Sequence, residues 1–163
     1  MLKCVGYISI IIACTALGME RGNEIHRHKK ELEELYKIFT FLKLELKMLK
    51  TPIKEALLKL KNKTDGNYKV WLEDVSKDTY LDDFENNWKN SIDIHFEESY
   101  LTTEERNELL QLGKNIGCVE AISLYLSNLE LSIQNTKEEE KEKKKLYQSM
   151  GIMGGIFLVI LLL

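Results

Sequence analysis

Apolar side chains concentrate at the two ends of this chain and follow a helical spacing between them. The last 18 residues, 146–163, contain no charged side chain. Residues 2–19 form a second apolar run that only Lys3 interrupts. Because a helix that spans a bilayer needs about 20 apolar residues, with a lower limit near 17, the pattern predicts a transmembrane helix at each end, over residues 1–19 and 146–163.

Basic residues flank the inner side of both apolar runs and predict how the chain is oriented. They follow the first run and precede the second, at Arg21, Arg27, Lys29, Lys30, Lys141, Lys143, Lys144 and Lys145. Lysine and arginine close to a membrane span stay in the cytoplasm, so a cytoplasmic body and an uncleaved first helix are expected. Two alternatives stay open: a cleaved secretory signal, and an exported lipoprotein that carries its lipid on Cys14.

The body between the ends, residues 20–136, has the pattern of an amphipathic helical bundle. Apolar residues in Ile25–Leu49 recur at intervals of three, four and seven, which is typical of a helix that packs along a partner. Later stripes bring the total to about five to six helices, and a charged helical spacer follows at 137–145. The predicted fold class is therefore all-α, a helical bundle flanked by an N-terminal and a C-terminal transmembrane helix.

Four residues of the body indicate where helices begin. Thr51 is a good N-cap, and Pro52 is favoured at the first position of a helix, so a second helix is predicted to start there. Thr102 and Glu105 have the spacing of a capping box, in which side chain and backbone bond reciprocally. This pair predicts the start of the fifth helix.

Two glycines and both tryptophans are predicted to serve packing. Gly113 and Gly117 lie four residues apart on one helix face, a spacing that permits close approach of a neighbouring helix; the alternative is that Gly117 simply ends its helix. Trp71 and Trp88 occur within apolar stripes of helical spacing. We therefore expect the tryptophans in the core rather than at a binding surface.

Composition and motifs indicate no catalytic or ligand-binding chemistry. The formal net charge of −3 disfavours nucleic acid as a partner. The three cysteines form no CxxC pair and the three histidines lack metal-ligand spacing, so no metal site is predicted. No arrangement of a nucleophile with a base, no phosphate-binding loop and no cofactor motif occurs. We expect a protein that is not an enzyme and has neither a cofactor nor a small-molecule substrate.

Three stretches together resemble the stage III sporulation protein AB family of endospore-forming bacteria. They are the Thr-Pro turn with the helix start at Thr51–Leu57, the glycine-containing segment Leu112–Gly117, and the apolar tail from Tyr147 onwards. The resemblance implies a protein made in the mother cell during sporulation. It also implies a component of a secretion-like complex that spans the membranes between mother cell and forespore and includes an ATPase.

The resemblance further implies a likeness to the cytoplasmic helical domains of type II secretion and type IV pilus platform proteins. The expected function is therefore a non-catalytic docking protein in the mother-cell membrane that faces the forespore. Its expected partners are the bilayer and other proteins of the complex, with the ATPase as one candidate. The alternatives are the exported lipoprotein and a generic coiled-coil membrane scaffold that dimerises along Ile25–Leu49.

Overall fold

The computed structural model describes residues 2–77 and 84–162, and this part of the chain is helical without any strand. Within it, the side chains of residues 2–11, 14, 15, 17–19, 21, 144, 148, 155, 158, 161 and 162 lie outside the description. The helices are α1 (Leu2–Met48), α2 (Ile53–Lys61), α3 (Gly66–Lys77), α4 (Phe84–His95), α5 (Thr103–Leu112) and α6 (Val119–Leu162), with a short 3-10 turn at Gly113–Asn115. The predicted all-α fold is confirmed for these residues.

The chain divides into two compact units. The central unit is Glu31–Ile133, and the terminal unit consists of Met1–Lys30 together with Gln134–Leu163. The boundaries lie inside α1 and α6, so neither unit begins at a helix end. The contacts within the two units are of different kinds.

An aromatic cluster lies at the centre of the central unit. The Phe39 ring centroid lies 4.9 Å from that of Tyr125 and 6.5 Å from those of Trp71 and Trp88. The two tryptophan rings are themselves 5.2 Å apart and fully buried. Burial of each large apolar side chain stabilises the fold by about 1.5–3 kcal/mol. The prediction that both tryptophans belong to the core is confirmed.

Aliphatic side chains from six helices surround this cluster. They come from all six α-helices and include Leu32, Leu35, Leu42, Leu57, Leu60, Leu72, Val75, Ile92, Leu109, Ile122 and Leu129. The apolar seam of α1 between Leu32 and Leu42 is thus covered by the chain's own helices. Because these positions are already buried, the seam is not available to the scaffold that would dimerise along Ile25–Leu49.

The polar edges of the buried indoles are satisfied, whereas one buried hydroxyl is not. Trp71 Nε1 donates to Ser91 Oγ at 3.2 Å, and Trp88 Nε1 donates to the Leu109 carbonyl at 2.9 Å. The Tyr125 hydroxyl is buried and has no hydrogen-bond partner among the described residues. Burial raises the pKa of Tyr125, so its hydroxyl stays neutral.

A polar contact joins the two chain segments of the terminal unit. Glu140 on α6 accepts from Lys29 Nζ at 2.5 Å and contacts His26 Nδ1 at 2.8 Å. The Glu140 side chain is only 15% exposed. Within the predicted charged spacer 137–145, the Glu140 carboxylate thus has partners more than 100 positions away in the sequence.

The two predicted membrane spans find no support among the described residues, where no helix is long and apolar enough to cross a bilayer. Most side chains of 1–19, and part of those of 146–163, lie outside the description. The described part of the second segment does expose large apolar side chains, namely Leu146, Met150, Ile152, Met153, Ile156, Phe157 and Ile160.

Candidate docking surface

The connection from α1 to α2, residues 43–54, exposes three apolar side chains and is called the corner below. Leu44, Met48 and Leu49 are 50%, 68% and 62% exposed. Leu44 and Met48 are one turn apart on α1 and so share a helix face. Single exposed apolar residues are ordinary, whereas a group of them on a folded surface is typical of an interaction site.

Four lysines lie among these apolar residues. Lys43 and Lys47 are on α1, Lys50 is in the connection, and Lys54 is on α2. None of them forms an ion pair with a residue that the structure describes. The corner is thus a positively charged surface on a chain whose formal net charge is −3.

The acidic residue of the corner, Glu45, is buried and holds the connection in place. Its Oε2 accepts from Thr51 Oγ1 at 2.9 Å and from Lys59 Nζ at 3.0 Å, and its backbone carbonyl accepts from the Thr51 N–H at 3.1 Å. The hydrogen bond from Lys59 holds the pKa of Glu45 below its ordinary value, although burial opposes this. These bonds tie the end of α1 to α2 and fix the shape of the corner.

The start of α2 differs from the prediction at Thr51. Pro52 occupies the N-cap position and no side chain caps the helix. Thr51 precedes the cap position, and its hydroxyl donates a charge-assisted hydrogen bond to the Glu45 carboxylate. The chain reverses through Lys50, whose φ of 50° lies in the left-handed region.

A groove lies on the central unit between α1 and the segment that joins α2 to α3. It has a volume of about 460 Å³, and its wall includes Lys37, Phe41, Lys63 and Tyr68. Lys63 Nζ lies 3.8 Å from the centroid of the Phe41 ring, which is a cation–π contact. Among the described residues no group of three or more His, Cys, Asp or Glu side chains could hold a metal ion. The groove therefore has an aromatic wall beside side chains of both charges, since Glu34, which pairs with Lys37, and Asp65 line it as well.

The predicted capping box is present at the start of α5. Thr102 Oγ1 accepts from the Glu105 N–H at 3.2 Å, and Glu105 Oε2 accepts from the Thr102 N–H at 2.8 Å. This pair shapes a helix end and carries no binding chemistry of its own. Cys14, the lipid attachment site of the lipoprotein alternative, has its side chain outside the described residues.

The two glycines predicted to act together have different surroundings. A Cβ at Gly113 would lie 2.1 Å from Trp88 Cδ1, so the 3-10 turn packs directly on the indole of α4. A Cβ at Gly117 would meet nothing within 4 Å. Close packing therefore depends on Gly113 and not on Gly117.

Sequence reasoning did not single out the corner or Glu45. The available signal was composition: within residues 43–54, four lysines and three apolar residues that prove exposed accompany a lone acid. That signal could not show which of the charges were already paired. The pairing became visible only when the structure placed Lys59 beside Glu45.

Comparison with known proteins finds matches along the whole chain. Residues 3–163 match the family model of stage III sporulation protein AB. Stage III sporulation protein AB of Bacillus subtilis (strain 168) is 23% identical over 173 residues, an alignment that covers 100% of each chain. No solved structure matches this chain.

Proposed function

Since this chain belongs to the stage III sporulation protein AB family, we propose that it is a docking platform within the complex that connects mother cell and forespore. Family membership supports a role in sporulation. The role of a platform is geometric, because the chain holds other proteins of the complex in place and transforms no substrate.

The observation that carries the docking role is the exposure of the corner on a well-packed body. Three apolar side chains and four lysines are presented by a connection that Glu45 ties to α2. A rigid surface of this kind binds a partner without first having to be ordered, which favours affinity. The partners of this platform are other proteins of the sporulation complex, and its ATPase is the first candidate.

We place the protein at the mother-cell membrane that faces the forespore, with the central unit in the cytoplasm. The apolar runs at 2–19 and 146–163 support this location, as do the basic residues on their inner sides. The exposed apolar side chains on the described end of α6 agree with attachment to a lipid phase. This arrangement is the one expected of a platform protein.

Affinity purification of the tagged full-length chain from sporulating cells tests the proposal. The chain should remain in the membrane fraction after a high-salt wash and should co-purify with other stage III proteins, because the complex is its site of action. A tagged membrane protein unrelated to sporulation, produced at the same level, is the control. Recovery in the aqueous fraction, or recovery without any other component of the complex, would contradict the proposal.

A variant at Cys14 separates the platform from the lipoprotein alternative. Under the platform proposal, Cys14→Ser leaves the size, the membrane recovery and the co-purification unchanged. A lipoprotein would lose its lipid and change its mobility in the same experiment.

A further inference from the structure

We propose that the corner, residues 43–54, binds an acidic amphipathic helix of a partner protein, an inference that rests on the docking role proposed above. The partner helix covers the apolar side chains of the corner with its own apolar stripe. Its carboxylates pair with the lysines that flank those side chains.

The apolar side chains of the corner indicate that the partner binds as a helix. Leu44 and Met48 share one face of α1, and Leu49 extends this surface just beyond the last helical residue. A short apolar surface of this kind is complemented by a helix that presents side chains at intervals of three and four. The partner therefore contributes an apolar stripe of about two turns.

The lysines of the corner indicate that the partner is negatively charged. Lys43, Lys47, Lys50 and Lys54 come from both helices and from the connection, so they border the apolar residues from both directions of the chain. No described carboxylate forms an ion pair with them, although Lys47 is close enough to Glu120 on α6 to contribute to the lowered pKa of that carboxyl group. Glu45 does not neutralise the surface, because its carboxylate is buried against Lys59 and Thr51. A partner with acidic flanks supplies the missing charge.

A second copy of this chain does not fit the same surface. In a two-fold symmetric dimer, a surface patch of one subunit contacts the same patch of the other subunit. The four lysines of one corner would then face the four lysines of the other, and like charges brought together oppose association. The charge pattern of the corner therefore favours a different protein.

A membrane surface fits less well than a protein helix. A helix that lies in a bilayer interface carries its apolar face along most of its length. Within the central unit, the exposed large apolar side chains of α1 are confined to its last turns, and the exposed Lys37 and Thr40 precede Leu44 by two turns and one turn. The apolar part of the corner is thus short, as suits a single partner helix.

Photo-crosslinking from Met48 tests the inference. The full-length chain with a photo-reactive amino acid at position 48 is produced in sporulating cells, irradiated, and analysed by mass spectrometry of the crosslinked peptides. We expect the crosslinked peptide to come from another protein, to have helical apolar spacing and to carry net negative charge. The variant K47E/K54E should lower the crosslinking yield by about tenfold or more, because it replaces attraction by repulsion.

The variant K69E/K89E is the matched control. Lys69 and Lys89 are exposed on α3 and α4, and they form no ion pair with a described residue. This variant makes the same change in net charge and should leave the yield unchanged. Both variants should keep the thermal midpoint of the wild type, because all four positions are exposed.

Each remaining outcome contradicts the inference. Crosslinks to lipid alone, to a second copy of this chain, or to a segment without net negative charge would overturn it, as would an equal loss of yield in both variants or the absence of any crosslink. If the chain still co-purifies with the complex in those cases, the platform proposal stands and only the corner is wrong. If co-purification itself fails, the platform proposal is the one that is refuted.

Discussion

The central and terminal units are held together by different forces. In the central unit, Glu31–Ile133, a cluster of aromatic rings around Phe39 is enclosed by buried aliphatic side chains. In the terminal unit, the described residues bury no large apolar side chain, and a polar contact between Glu140, Lys29 and His26 joins its two segments. Apolar burial thus stabilises the central unit, whereas a charged contact joins the described parts of the terminal unit.

Both units contain carboxyl groups whose stabilising contacts depend on pH. Burial of apolar surface does not involve a proton, so the pH dependence of the central unit comes from groups such as Glu45, whose pKa is lowered, and not from its aromatic core. The hydrogen bond from Lys29, followed by the one from His26, holds the pKa of Glu140 below its ordinary value. A carboxyl group with a lowered pKa stabilises the folded state above its unfolded pKa and loses that effect as the pH falls through the folded pKa.

The largest expected effect comes from removing the ring at the centre of the core. Phe39→Ala should lower the free energy of unfolding by about 3–5 kcal/mol, because a cavity replaces contacts with three other rings. Thermal unfolding followed by far-ultraviolet circular dichroism measures this loss. Leu131→Ala is the control, since Leu131 is exposed and should change stability little. Equal losses in both variants would mean that burial of Phe39 contributes no more to stability than an exposed side chain does.

The next effect separates the two glycines after α5. Gly113→Ala should cost about 1–3 kcal/mol, because the new methyl group would lie 2.1 Å from Trp88 Cδ1 and would force the indole to move. Gly117→Ala has open space around it and should be neutral or slightly stabilising. Denaturant unfolding of both variants measures the contrast. A neutral Gly113→Ala would contradict close packing of the turn on α4.

A smaller effect is expected at the N-terminus of α5. Thr102→Ala removes one side of the capping box and should destabilise the central unit by about 1 kcal/mol. The neighbouring variant Thr103→Ala is the control, because Thr103 is exposed within the first turn and the capping box does not use it. The thermal midpoints of the two variants measure the contribution of the cap. Identical values would show that the capping box does not stabilise the central unit.

The smallest effect is local to the terminal unit. Glu140→Gln removes the charge that Lys29 and His26 share, so amide hydrogen exchange should quicken in peptides around 22–30 and 134–143, while peptides of the central unit stay protected. Exposed Glu142 supplies the matched control, Glu142→Gln. Lowering the pH should reduce the exchange protection of the same peptides in the wild type, and this reduction should be smaller in E140Q. Faster exchange throughout the chain would show that the two units are not independent in this respect.

Local patterns in the sequence predicted much of the central unit. The apolar stripe of α1, the burial of Trp71 and Trp88, and the capping box at Thr102 all follow from spacings of three or four residues along one helix. Such spacings are visible without any knowledge of the neighbouring helices, because a helix face repeats every 3.6 residues.

Features that depend on distant partners could not be predicted. Thr51 looked like a cap because its local sequence favours one, yet the hydroxyl bonds to Glu45, whose other partner, Lys59, lies fourteen positions further on. The charged neighbours of Glu140 predict only a spacer helix, whereas the structure places the partners of this carboxylate on α1. Sequence spacing along one helix holds no information on what another helix brings to it.

The burial of both tryptophans in one cluster has a spectroscopic consequence. The sequence contains two tryptophans, and their rings lie 5.2 Å apart within the central unit. Intrinsic fluorescence excited at the indole band therefore reports on that unit alone and is blind to the terminal one. Rings this close also couple excitonically, so the near-ultraviolet circular dichroism of the native protein should carry a signature that disappears as soon as the two indoles separate.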